Sequence, residues 1–287
     1  MKVGVLLPEL SASIKDALQQ TAGWGVDGVQ FYVKNRHYDL LTADDSEIDD
    51  LRKHIVSLNL DLPAICGQLP GYGFERESDN PTQIKLTKRI IDIAQRLETT
   101  VVSTHIGVVP FDSNDPVYSV MVKALNELGS YAAARNVTLA IETGPEAPEH
   151  LKKFIEDCNE GISVNFDPAN LVMVHNINAA EAVRVLGKYI SHTHAKDGVN
   201  YQACDPVQVY HAFASGGFAQ LVEETGEIFA ELPLGQGKVN FAEYLPALKS
   251  TGYDGYLTIE REVGADPGAD IAMAVTFLRK QLEELNI

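Results

Sequence analysis

The sequence predicts an α/β fold, specifically a (β/α)8 TIM barrel formed as one domain over residues 1–287. Three observations predict it. Eight short runs rich in apolar and β-branched residues are spread over the whole chain, and helical patterns fill the intervals between them. Most of these runs lack polar alternation, as strands of a parallel sheet covered on both faces do. Finally, the length allows about 36 residues per unit, close to what a barrel of roughly 250 residues requires.

The first run, Val3–Leu7, meets Pro8, Glu9 and Leu10 without a G-x-G-x-x-G turn, which argues against the competing doubly wound open sheet. Gly28–Val33 follows. Ser46 then precedes Ile48, Leu51, Ile55 and Leu58 at helical spacing. The third strand is expected at Leu62–Cys66, the next helix at Pro81–Arg96 and the fourth strand at Thr100–His105. Asp115-Pro116 opens a helix with an N-cap and a proline at its first position. Thr138–Glu142, Ile162–Asp167, Tyr189–His194 and Tyr256–Glu260 complete the strands, with helices at Pro148–Cys158, Ala179–Leu186, Phe241–Lys249 and Asp270–Leu285. One interval is oversized. The seventh strand starts near Tyr189 and the eighth near Tyr256, and the surplus falls at 198–237, an extended loop on the face where barrels keep their sites and a candidate lid.

Charge narrows the partners. With 40 acidic against 23 basic side chains the formal charge is −17, which repels polyphosphate backbones and excludes nucleic acid bound through a basic surface. No apolar run approaches a membrane span, and the opening residues do not build a signal-type core. Cys66, Cys158 and Cys204 are odd in number and widely spaced, so they read as reduced thiols of a cytoplasmic protein. A small-molecule ligand is expected, with a homodimer or homotetramer as the assembly.

Polar residues at the C-terminal ends of barrel strands carry the chemistry. The fifth run ends in Glu142, the sixth in Asp167 and the eighth in Glu260, while the seventh carries His192 and His194. Three carboxylates converging on one rim repel one another unless a cation sits between them. Oxygen-rich ligation with one imidazole suits Mn²⁺ first, with Mg²⁺, Co²⁺ or Zn²⁺ as alternatives. The two histidines point the same way, being two apart on a strand. His194 lies nearer the strand end and is the better ligand, which leaves His192 one layer deeper.

The segments A-I-E-T, F-D-P-A-N, H-T-H-A-K-D, P-L-G-Q-G and T-I-E-R-E, in this order, resemble the xylose isomerase-like TIM barrel superfamily. Within it they are most similar to the sugar phosphate isomerase/epimerase group of ketose 3-epimerases, hydroxypyruvate isomerases and inosose dehydratases. The resemblance implies metal ligation by Glu142, Asp167, His194 and Glu260, with Glu142 and Glu260 doubling as the acid/base pair. Asn170 departs from the ketose 3-epimerases, in which a substrate-contacting histidine stands three residues after the ligand aspartate. Gln236 stands where related chains often carry Glu.

Such a site would remove the proton α to a sugar carbonyl, giving an enediolate whose oxygens need positive charge beside them. Tyr32, Gln68, His105, Asn170 and Lys196, together with Gln30, are candidates for orienting hydroxyls. Trp24, with Phe31, Tyr72 and Phe74, is a candidate apolar wall. The thin supply of cations around Glu260-Arg261-Glu262 favours an unphosphorylated ketose or related polyol. Competing expectations are an inosose-type dehydratase, an apurinic-site endonuclease, a lysine Schiff-base mechanism at Lys196 and a non-catalytic carbohydrate-binding barrel.

Overall fold

The apolar runs become parallel strands because each is covered on both faces. The computed structural model describes residues 1–8 and 13–287, so the Glu9-Leu10 turn after the first strand lies outside the described residues. In chain order the elements are β1 (Lys2–Leu6), α1 (Ile14–Ala22), β2 (Gly28–Gln30), α2 (Asp45–Ser57), β3 (Ile65–Cys66), α3 (Asn80–Arg96), β4 (Val101–Thr104), α4 (Pro116–Ala133), β5 (Thr138–Glu142), α5 (Pro148–Asp157) and β6 (Ile162–Phe166). They continue as α6 (Pro168–His175), α7 (Ala179–Leu186), β7 (Ile190–Ala195), β8 (Asp197–Asn200), α8 (Pro206–Ser215), α9 (Phe218–Thr225), β9 (Phe229–Leu232), α10 (Phe241–Ser250), β10 (Tyr256–Ile259) and α11 (Pro267–Leu285).

Eight strands form one parallel sheet in the order β2-β1-β10-β7-β6-β5-β4-β3. The ring closes between β2 and β3 through main-chain bonds, Val29 N–H to Asp61 O at 2.9 Å, Cys66 N–H to Phe31 O at 2.8 Å and Val33 N–H to Cys66 O at 2.9 Å. The chain is therefore a (β/α)8 TIM barrel. Val3, Val5, Val29, Ile65, Val102, Leu139, Val164 and Leu257 are fully buried and join the inner faces of the helices in one apolar core. Among the described residues no helix is long and apolar enough to cross a membrane.

Three local expectations change. The second helix begins before Ser46, at Asp45, and Asp44 caps it, accepting from Glu47 N–H at 2.9 Å while Glu47 Oε2 accepts from Asp44 N–H at 2.8 Å, a reciprocal capping box. A short helix, α6, starts directly after Asp167, earlier than the Ala179 start expected for that unit. The 198–237 segment is not an open loop. It folds as β8, α8, α9 and β9, with β8 and β9 paired antiparallel and Val174, Val209, Leu221 and Ile228 forming a small core of their own. Asp197 ties off its return: its carboxylate accepts from the N–H groups of Gly235, Gly237 and Val239 at 2.9 to 3.0 Å. A Cβ on Gly237 would overlap that carboxylate, which explains the glycine in P-L-G-Q-G.

Candidate metal centre

Neighbouring strands deliver the four ligand-type residues. Glu142 ends β5, Asp167 follows β6, His194 lies near the end of β7 and Glu260 follows β10; in the sheet these strands stand side by side in the order β10-β7-β6-β5. One donor atom from each lies within 4.8 Å of all the others, and all four residues are buried. His194 Nδ1 is 2.8 Å from Glu260 Oε2, 3.6 Å from Glu142 Oε1 and 3.9 Å from Asp167 Oδ2.

Each side chain is aimed from behind. Asp167 is the N-cap of α6, and its Oδ1 accepts from Ala169 N–H at 2.7 Å and Asn170 N–H at 3.0 Å, which leaves Oδ2 for the cluster. Glu142 is held by Asn165 Nδ2 at 3.1 Å on Oε2 and by Asn170 Nδ2 at 3.3 Å on Oε1. Gln30 Oε1 lies 3.0 Å from His194 Nε2 and 3.1 Å from His192 Nε2, while Gln30 Nε2 donates to Ser103 Oγ at 2.8 Å. A carbonyl oxygen only accepts, so Gln30 favours a proton on His194 Nε2, and Nδ1 faces the three carboxylates.

Three atoms of the cluster, Asp167 Oδ2, His194 Nδ1 and Glu260 Oε2, are buried without a hydrogen-bond partner. Buried polar atoms left in this way are costly unless something charged satisfies them. Three carboxylates and one imidazole lone pair directed at a common point fit a divalent cation with a preference for hard or borderline donors. The electrostatics agree. Burial drives the His194 imidazolium down, yet Glu260 and Glu142 outweigh it and raise its pKa well above the ordinary value. Burial likewise pushes Glu142 up, but His105 and His194 hold it well below the usual carboxylate range. The cluster demands positive charge, and a proton on His194 meets the same demand that an ion would.

Around this centre the expected residues divide. His105 sits at the mouth, partly exposed, with Nε2 3.7 Å from Glu142 Oε1. Asn170 touches Glu142 as described. Tyr32 lies at the bridge that pairs it with Cys66, and burial, with the nearby anions Glu260, Glu262 and Glu142, raises its phenol well above the normal value. Gln68 follows β3 on the same rim and is exposed. His192 lies below His194 against Gln30; burial, with the His194 charge beside it, lowers it to about 3, so it is neutral. Lys196 is buried against carboxylates, its Nζ 2.7 Å from Glu262 Oε2 and 3.3 Å from Glu260 Oε2, so its charge is occupied inside the protein.

Trp24 is not brought to the mouth. It lies in the turn between α1 and β2, at the N-terminal end of β2, and packs on the core, because αβ turns fall on the rim opposite the βα turns. Phe31 and Phe74 are likewise core residues. Other residues at the site had no place in the expected set. Asn165 could have been found, since it stands two residues before Asp167 on the same face of β6. Tyr210 and His211 of α8 could not, because only the docking of the folded segment brings them over the barrel. The Tyr210 ring lies 5.7 Å from that of His105, and a Cβ on Gly144 would overlap its hydroxyl. His211 Nε2 is 3.0 Å from Glu75 Oε2. The folded segment thus forms one wall of the mouth.

Comparison with known proteins places this geometry among relatives. A family model described as xylose isomerase-like TIM barrel matches residues 18–281. The crystal structure of a xylose isomerase domain protein from Planctomyces limnophilus superposes with a TM-score of 0.81 at 26% identity, covering 99% of this chain and 98% of that one. A D-tagatose 3-epimerase-like protein superposes with a TM-score of 0.75 at 21% identity, covering 100% and 98%. A probable 3-DHS dehydratase from Bacillus anthracis shares the fold with a TM-score of 0.73 at 16% identity over 97% and 99%. An uncharacterized protein of Methanocaldococcus jannaschii is 23% identical over 191 residues, 62% of this chain but only 56% of that relative.

Proposed function

Because the chain belongs to the xylose isomerase-like TIM barrel family, we propose that it is a divalent-metal-dependent sugar isomerase or epimerase that removes the proton α to a carbonyl of an unphosphorylated ketose or related polyol. The observation that carries the proposal is the quartet of Glu142, Asp167, His194 and Glu260 with its three unpartnered buried atoms. These four residues hold the ion, with Mn²⁺ the first choice. When bound, the ion supplies a Lewis acid beside the carbonyl and adjacent hydroxyl.

The remaining chemistry belongs to the chain. Glu142 and Glu260 come from the outer two of the four neighbouring strands, so the two carboxylates flank Asp167 and His194. One takes the proton from the α-carbon and the other returns it from the opposite side. Asn165, Asn170 and His105 hold Glu142, and Lys196 holds Glu260. An uncharged substrate is favoured because Lys196 and Arg261, two cations beside the quartet, already pair with Glu231, Glu262 and Asp270. A dehydratase acting on an inosose is the second reading, favoured by Asn170 in place of a histidine; it starts with the same proton abstraction. The free thiols fit a cytoplasmic protein.

The test is proton exchange followed by NMR in D₂O, with Mn²⁺ present and a panel of ketoses, aldoses and inososes. Deuterium is expected at the carbon next to the carbonyl, and loss of water would select the dehydratase. Mn²⁺ at a hundredfold excess over its Kd is expected to stabilise the fold by about 2.7 kcal/mol. A metal-loaded protein that exchanges no proton in any of these sugars would remove the proposal.

A further inference from the structure

We propose that Lys196, restrained by Glu231 and Glu262, sets how tightly the quartet holds its divalent cation, so that the folded 198–237 segment controls the strength of the centre. The inference rests on the quartet being a metal centre. Lys196 Nζ lies 3.3 Å from Glu260 Oε2, the same oxygen that is 2.8 Å from His194 Nδ1 and lacks a hydrogen-bond partner. An ammonium there competes with an ion for the charge of that oxygen.

How strongly it competes depends on the anions on its other side. Glu262 Oε2 is 2.7 Å from Nζ and Glu231 Oε2 is 3.6 Å from it. Glu231 is in turn paired through Oε1 with Arg261 Nη1 at 2.7 Å, and Arg261 Nε with Asp270 Oδ2 at 2.8 Å. The side chains of Lys196, Glu231 and Arg261 are at most 8% exposed, so water screens these charges little, whereas Glu262 is 50% exposed and restrains the lysine less. Glu231 belongs to β9, the return strand of the folded segment, while Lys196 follows directly on β7 of the barrel. The segment therefore supplies an anion that draws the lysine's charge away from Glu260.

Two opposite consequences follow from charge alone. Neutralising Lys196 leaves Glu260 to the ion and tightens binding; neutralising Glu231 leaves the ammonium to Glu260 and weakens it. Titration calorimetry with Mn²⁺ on the metal-free full chain reads both. Lys196→Met is expected to tighten the Kd about tenfold and Glu231→Gln to weaken it about tenfold. The double variant should return to within about threefold of the unmodified protein, because the two charges cancel. Glu262→Gln changes a half-exposed partner, keeps the fold, and should weaken binding by a smaller factor in the same direction as Glu231→Gln. Unchanged Kd values in Lys196→Met and Glu262→Gln, or a shift of both in one direction, overturn the inference while leaving the metal centre standing. No Mn²⁺ binding by the unmodified chain overturns the metal centre and this inference together.

Discussion

Two buried charge clusters meet at Glu260, and they are built on opposite principles. On one side the quartet gathers three carboxylates and an imidazole with their donor atoms within 4.8 Å of one another, and three of those side chains' atoms have no hydrogen-bond partner. On the other side Lys196, Glu231, Arg261 and Asp270 alternate in sign, each within 2.7 to 3.6 Å of the next, and leave no such atom. Burying charge is tolerable only when it is compensated. The second cluster compensates itself within the chain. The first relies on a proton at His194 or on a bound ion for its compensation, and that need marks it as the candidate chemical centre.

The largest effects should come from breaking the first cluster. Glu142→Gln and Glu260→Gln each keep the shape of the side chain and remove its basicity, and each is expected to lower α-proton exchange about a thousandfold. Apo Glu142→Gln should melt lower than the unmodified chain, because His105 and His194 favour the ionised carboxylate in the fold and a neutral amide forgoes that gain. Wild-type deuterium incorporation by either variant would take that glutamate out of the proton-transferring pair.

A smaller effect tests how the cluster is aimed. Gln30 is fully buried and contacts His192, His194 and Ser103 from across the barrel. Gln30→Leu keeps the volume, frees the His194 tautomer and should weaken Mn²⁺ binding 10- to 100-fold, the usual cost of losing a partner behind a ligand. Mn²⁺ calorimetry checks it, and an unchanged Kd would show that Gln30 does not orient the ring.

The two clusters were unequally legible in the sequence. Glu142, Asp167, His194 and Glu260 each end a strand, and strand ends can be read from local patterns of apolar residues, so the quartet and the barrel behind it came from short-range information. The second cluster depends on Glu231, and nothing local marks that residue: it comes to Lys196 only because β8 and β9 pair and fold the 198–237 segment back over the rim. The same holds for Tyr210 and His211. Trp24 went to the wrong rim for a different reason, since aromatic character says what a residue packs with and nothing about which end of a strand it precedes. Gln30 was placed on the right strand but expected to meet substrate, because alternation gives the face of a strand and not the depth along the barrel axis.

Glu146 extends the comparison to a third way of burying a carboxyl group. It is 3% exposed, its Oε1 accepts from Val109 N–H at 2.7 Å, and among the described residues no cation pairs with it. Burial therefore raises its pKa to about 8, and the nearby Glu75 adds to the shift. An acid whose folded pKa lies above its unfolded value binds more protons folded than unfolded, so its contribution favours the fold at low pH. Stability is then lost as pH rises from the ordinary carboxylate range near 4.5 through about 8. Glu146→Gln keeps the acceptor for Val109 and cannot ionise. Relative to the unmodified chain it should be near neutral at pH 5 and more stable by about 4 kcal/mol at pH 8.5, read as a Tm difference that grows with pH. A difference that stays constant between pH 5 and 8.5 would mean that Glu146 is ionised in the fold and compensated like the other two clusters.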